Sequence, residues 1–389
     1  MRIESIQDAI RQAGLDGWLF FDHHRRDPIA YRILQIPDHV SPTRRWYYFI
    51  PASGEPHKLV HRIESGALDT LPGMKQAYSS WQEQHSRLSV LLGGAKRVAM
   101  QYSPNCAIPY VSLVDAGTIE LVRSYRIDVV SSADLVQQFE GVWTKEQFEL
   151  HLKAGRLVDG VRREAFELVR TRSHANQPIT EYEVQQFIRQ RFRDLQLTTD
   201  HGPIVAVNEN ASNPHYEPTR DHCSRIQSGD VVLIDLWAKR DVPKAVYYDI
   251  TWTGFCGDAV PDPIQKVFHT VRAARQQASA FAIERSKRRE RFRGFEVDDA
   301  AREVVAQQGY GEYFFHRTGH SLGTDVHGTG ANMDNLESHD DREVLTNSCF
   351  TIEPGIYLPE FGIRSEVNVF VGADGARVTG EEQDSLVLL

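Results

Sequence analysis

The chain has 389 residues, 41% hydrophobic and 25% charged, which excludes a disordered or collagen-like protein and leaves room for two or three domains. With 44 Lys plus Arg against 53 Asp plus Glu, the formal charge is -9, so no overall basic field draws it to nucleic acid or anionic lipid. Apolar runs such as Val231 to Ile234 fall far below the roughly 18 residues of a membrane span. The start MRIESIQDAI reads as an amphipathic helix and not as a signal peptide. A cytoplasmic protein is expected, with neither nucleic acid nor membrane as partner. Cys106, Cys223, Cys256 and Cys349 contain no close pair and are expected to be buried small hydrophobes.

In chain order, Ile3, Ile6 and Ile10 form one stripe of a helix ending near Gly14, followed by the strand-like GWLFFD. Further β-rich runs stand at 44–51, 57–63 and 97–102, with helical or loop material around Trp81 to Leu92, so a mixed α/β domain is expected over residues 1–136. From Ser131 a long helical pattern opens a second domain, taken as 137–389. Thr180 and Glu183 have capping-box spacing ahead of another helix. After Gly229-Asp230 the chain turns to strands at 231–237, 245–255, 349–358 and 363–371, interrupted by helices at about 262–289 and 296–308. The basic run at 284–293 is read as a solvated helix end.

The informative residues are acids inside strands. Asp235 lies in VVLIDLW and Asp249 in VYYDITW, where an ionised carboxylate costs several kcal/mol unless something compensates it. Alternation puts Asp249 and Thr251 on one face, so the hydroxyl is expected to orient that carboxylate. Glu353 in FTIEPG and Glu366 in IRSEVNV repeat the problem, and Arg364 is the only basic residue in these four windows. A divalent cation is the economical counter-charge. HRTGHSLGTDVHG adds His316, His320 and His327 in a glycine-rich loop. One imidazole with four carboxylates suits Mn, Co, Fe or Zn, and several acids favour two ions over one.

These residues resemble a family, the metallopeptidases of the pita-bread fold, which include aminopeptidase P, prolidase and methionine aminopeptidase. The order Asp235, Asp249, His320, Glu353, Glu366 and the segments YYDIT, TGHSLGTDVHG, TIEPGIY and GIRSE carry the likeness over about residues 140 to 389. It implies a creatinase-like α/β N-terminal domain and an α+β pita-bread catalytic domain holding two divalent ions, Mn first, with Co, Zn or Fe as alternatives. Asp249 and Glu366 would bridge the ions, with Asp235 on one and His320 and Glu353 on the other, and a shared water would attack the carbonyl before proline. Glu353 would shuttle the proton, His327 and His316 would stabilise the oxyanion, His215 would join them as a catalytic histidine, and His215, His327 and Arg364 would bind substrate. Tyr216 and Tyr357 are candidate walls of a proline pocket. The resemblance further implies a proline-containing peptide substrate, dipeptide or longer, and a homodimer. Two alternatives use the same fold: a metal-independent creatinase-type amidinohydrolase, and a non-catalytic module that binds a protein.

Two departures from the family pattern stand out. The segment from Asp235 to Asp249 is longer than usual, with Trp237 in place of a small residue, and is expected to form a hairpin. Lys239, Arg240 and Lys244 on it read either as surface cations of a solvated turn shaped by Pro243 or as groups that meet the C-terminal carboxylate of a short substrate. The stretch GTGANMDN after His327 lacks an arginine that some prolidases use for that carboxylate.

Overall fold

The computed structural model describes residues 3–175 and 177–389. The chain divides into two compact units, Met1–Glu140 and Gly141–Leu389.

In the first unit a six-stranded mixed sheet runs, in spatial order, Met74–Tyr78, His57–His61, Trp46–Pro51, Gly17–Asp22, Arg97–Met100, Asp128–Ser131. Alternate side chains of Gly17–Asp22 and Trp46–Pro51 enter two different cores. Trp18, Phe20, Trp46 and Tyr48 pack on one side, Leu19, Phe21, Tyr47 and Phe49 on the other. Burial on both faces is why GWLFFD and WYYFIP are continuous apolar runs and not alternating ones. Helix Ile3–Gln12 buries Ile6, Ala9 and Ile10, the stripe expected of it.

The second unit opens with a helical stretch that is less continuous than the sequence pattern. Ala133–Val136 belongs still to the first unit and is followed by a π-turn, Gln137–Gly141, and then by the long helix Lys145–His174. The capping box at Thr180 and Glu183 forms as its spacing predicts, starting helix Glu181–Asp194. Strand Val231–Arg240 pairs antiparallel with Tyr248–Phe255 and with Ile204–Val207. Its residues Val232, Ile234, Leu236 and Ala238 face a core beneath the two helices, which leaves Asp235 and Trp237 on the opposite face. A second sheet orders Ser321–Leu322, Ser348–Ile352, Val367–Gly372 and Gly375–Thr379. Helices Asp262–Lys287 and Gly294–Gln307 share a core with the strands of this sheet.

Three expectations need correction. The strand expected over 349–358 is two strands, Ser348–Ile352 and Gly355–Tyr357, interrupted at Glu353 and at Pro354, which has no N–H to donate to a ladder. The one expected over 363–371 breaks between Gly362–Arg364 and Val367–Gly372, so both glutamates sit at breaks. Among the cysteines, Cys256 and Cys349 are buried, but Cys106 is exposed and Cys223 half-buried. The basic run is solvated and pairs locally, Arg285 with Glu290 at 2.9 Å and Arg288 with Glu284 at 3.6 Å.

One buried acid organises the segment that carries His215. The Glu181 carboxylate, wholly buried, accepts from Val207 N and Ser224 N at 2.6 Å each, from Tyr216 Oη at 2.6 Å and from Asn210 Nδ2 at 3.0 Å. The Tyr216 hydroxyl is thus committed to Glu181. Glu181→Ala would leave these donors buried and unsatisfied and should destabilise the protein by about 3 kcal/mol or more. Chemical denaturation checks this, and a loss below about 1 kcal/mol would show that the hub is dispensable.

Candidate active site

The register of the central hairpin pairs Asp235 with Thr251 and Trp237 with Asp249. All four side chains therefore lie on one face, with the two carboxylates as diagonal neighbours. The second sheet is tied to this hairpin beside them. Asn368 accepts from Asp249 N at 3.2 Å and donates to Asp249 O at 2.7 Å, and Glu366 N donates to Thr251 O at 3.0 Å. His320 enters just before Ser321–Leu322, its N–H on Thr351 Oγ1 at 2.9 Å, and Glu353 follows Ser348–Ile352 with its N–H on Thr318 O at 2.7 Å. Gly319, next to His320, lies so close to the second sheet that a Cβ there would stand 1.9 Å from Thr351 O.

Ligand atoms of Asp249, His320 and Glu366, all buried, lie within 4.8 Å of one another. His320 Nε2 is 3.6 Å from Asp249 Oδ2 and 3.4 Å from Glu353 Oε1. Asp235 joins through Arg364, whose guanidinium donates to Asp235 Oδ2, to Thr251 Oγ1 at 3.0 Å and to the Tyr357 hydroxyl at 3.0 Å. The Thr251 hydroxyl donates in turn to Glu366 Oε2 at 2.8 Å, so it orients Glu366 and not Asp249 as the alternation alone suggested. Thr351 Oγ1 holds Glu353 Oε1 at 3.0 Å.

Burial, then the charges of Asp235 and Glu353, push the Asp249 carboxyl far above the usual range. Burial and repulsion from Asp249 do the same to Glu366. Glu353 is pushed up to about 7 by burial, against the opposing pull of Arg364. Burial, with the neighbouring His327, holds the His320 imidazole well below its ordinary value. Without a cation these acids cannot all be ionised.

The other expected residues fall around this cluster. The ring of His327 meets that of His320 edge to face, centroids 4.4 Å apart, and is exposed. His215 is also exposed. His316 has both nitrogens engaged, Nδ1 with Arg317 O and Nε2 with the Tyr357 hydroxyl, each at 2.7 Å. The Tyr357 hydroxyl accepts from Arg364 and so donates to His316, while Nδ1 carries the imidazole proton. That arrangement leaves neither ring nitrogen of His316 open to a substrate. Arg364 is likewise committed to protein partners, and Tyr357 links the two as a polar brace. The hairpin does not present three free cations. Its first strand runs on to Arg240 because Lys239 and Arg240 pair with Leu197–Thr198. Lys239 Nζ donates to Thr324 O at 2.5 Å, and Arg240 Nη1 to Leu195 O at 2.7 Å. Lys244 alone stays exposed at the turn.

Sequence reasoning missed Asp200, which accepts from the Trp237 indole at 2.8 Å beside the site. It also missed Asn368, although a polar residue within the apolar NVFV carries the same signal as the acids. Asp298, fully buried, was missed too; it binds Thr318 N at 2.8 Å and the Arg302 guanidinium that also holds His316 O.

The sequence matches metallopeptidase family M24 over residues 149–373, and the chain belongs to that family. A Xaa-Pro dipeptidase of Lactobacillus helveticus is 30% identical over 264 residues, which are 65% of this chain and 62% of that protein. A Xaa-Pro dipeptidase of Lactobacillus delbrueckii subsp. lactis is 30% identical over 215 residues, 55% of this chain and 53% of that protein. The match thus spans less than two thirds of either relative. In fold the chain is similar to dipeptidase PepE from Mycobacterium ulcerans, with TM-score 0.73 and 23% identity over 99% of this chain and 96% of that one. A prolidase from Thermococcus sibiricus gives TM-score 0.65 and 23% identity over 100% of this chain and 98% of that one. The expected pita-bread architecture is therefore present. No described helix is long and apolar enough to cross a membrane.

A metallopeptidase family implies divalent ions, and the residues present fit them. Asp235 Oδ1, Asp249 Oδ1 and Glu366 Oε1 are buried oxygens without a hydrogen-bond partner. Unpaired buried carboxylate oxygens beside an imidazole that is held neutral form a donor set for hard to borderline cations. Because the Thr251 hydroxyl links Arg364 to Glu366, Thr251→Val should lower divalent-ion affinity about 10- to 100-fold with the protein still folded. Titration of chelator-treated protein with Mn checks this, and unchanged affinity would show that the hydroxyl plays no part.

Proposed function

We propose that the protein is a two-metal hydrolase that cleaves the Xaa-Pro bond of dipeptides or short peptides. The observation that carries this is the convergence of Asp235, Asp249, His320, Glu353 and Glu366 around unpartnered buried oxygens. The names of its relatives, Xaa-Pro dipeptidases, support the bond preference. Asp235, Asp249, His320, Glu353 and Glu366 would hold the ions, and Mn is the first ion to test. The complete donor set argues against both the amidinohydrolase and the non-catalytic module.

When bound, the ions would supply Lewis acidity toward the scissile carbonyl and the attacking water. The chain's own residues would position and move protons. Glu353 is the least buried of the four acids, with Oε1 fixed by Thr351. It would carry a proton from water to the prolyl nitrogen. His327, exposed beside His320, would donate to the developing oxyanion, and His215 would help seat the substrate. His316, through Tyr357, would hold Arg364, and Arg364 would fix Asp235; both are assigned as positioning residues. Because proline supplies no N–H, its ring must be selected by shape.

The N-terminal unit is proposed to be creatinase-like, the protein to be cytoplasmic, and the assembly a homodimer. Sedimentation velocity tests the dimer, and a monomer at every concentration would refute it.

Chelation should abolish hydrolysis of an Xaa-Pro dipeptide, and Mn or Co should restore it. Full turnover in metal-free protein would overturn the two-metal reading. Loss of an outer partner of a metal site costs about 10- to 100-fold, so Asp249→Asn, which alters a proposed ligand itself, should cost more than about 100-fold in kcat. Wild-type rate and metal content in that variant would remove Asp249 from the site.

A further inference from the structure

The N-terminal unit holds a cavity of about 550 Å³ lined by His23, His24, Arg44, Arg45, His61 and Trp81, with no carboxylate among its lining residues. It lies at one end of the sheet. His23 and His24 follow strand Gly17–Asp22, Arg44 and Arg45 precede its antiparallel neighbour Trp46–Pro51, and His61 ends His57–His61. The topology thus gathers these side chains from three adjacent strands, with Trp81 opening helix Trp81–Leu91 above them.

The backbone that presents the two histidines is strained. His24 and Arg25 have φ of 62° and 56°, successive left-handed conformations that cost an L residue free energy. Buried Asp22 holds this bend, accepting from the N–H groups of Arg25 at 2.8 Å, Arg26 at 2.6 Å and Asp27 at 3.0 Å. Glu64 brings one carboxylate to the edge of the cavity, where it accepts from Thr43 and from Arg44 N, and it offsets one of the two guanidinium charges. Arg44 and Arg45 form no ion pair among the described residues. Burial, then repulsion from His24, Arg26 and Arg45, holds His23 below its ordinary value, against the opposing pull of Asp22. The Trp81 indole is 61% exposed at the rim.

We propose that this cavity binds a small organic anion of two or more negative charges, phosphate or carboxylate, with its charge between Arg44 and Arg45 and its organic part against Trp81. Guanidinium forks match both oxyanions, a cleft of one sign concentrates counter-ions, and the volume suits a small molecule.

Calorimetric titration of the full-length protein at low ionic strength, with phenyl phosphate and with succinate as probes, tests this. One site per chain with a Kd of about 1 mM or tighter is expected for at least one probe, and which of them binds assigns the oxyanion. Arg44→Gln with Arg45→Gln should weaken it at least about tenfold, while Asp249→Asn leaves it unchanged. Trp81→Ala, at a side chain already in solvent, should weaken phenyl phosphate more than succinate and serves if the double variant melts early. No saturable binding of either probe, equal affinity in the arginine variant, or binding lost in Asp249→Asn and kept in the arginine variant would overturn the proposal.

Discussion

Asp235, Asp249, Glu353 and Glu366 converge with one guanidinium, Arg364, in a space largely closed to water. Four negative charges at such separations repel one another, and burial withdraws the hydration that would screen them. Arg364 answers one charge directly by its bond to Asp235. The remaining demand is met by protons, which is why Asp249 and Glu366 are held well above ordinary carboxyl values, or by cations. A site of this kind stores an affinity for divalent ions in the fold itself.

Much of the second unit serves to hold that arrangement. Asp235 and Asp249 are fixed by an antiparallel register with Thr251 and Trp237 on the same face. Asn368 and Glu366 N tie the second sheet to the hairpin. The two glutamates sit where strands break, and this frees their side chains from the alternation that would bury them in an apolar layer. From Asp235 a hydrogen-bonded chain runs through Arg364 and Tyr357 to His316, whose carbonyl Arg302 holds. Removing any member would leave a buried polar partner unsatisfied.

The legible part of the sequence was the part where a residue contradicts its local setting. Asp235 in VVLIDLW and Asp249 in VYYDITW stand out because no neighbour in sequence can compensate them, and the capping box at Thr180 is equally local. What sequence could not supply depends on pairing across long separations. Thr251 shares a face with Asp249, yet its hydroxyl reaches Glu366, 115 positions away. Lys239 and Arg240 read as a free basic tip, but pairing with Leu197–Thr198 turns them onto backbone carbonyls. The Tyr216 hydroxyl is committed to Glu181, 35 positions before it and buried beside it. Pro354 was a readable warning that the strand after Ser348 could not continue.

The most direct test of the central claim is calorimetric titration of Mn into chelator-treated protein, counting ions bound per chain. Two ions per chain are predicted, with at least one lost in Asp249→Asn. Fewer than one ion per chain, or binding that Asp249→Asn leaves unchanged, would contradict the assignment of the acid cluster as a two-cation centre.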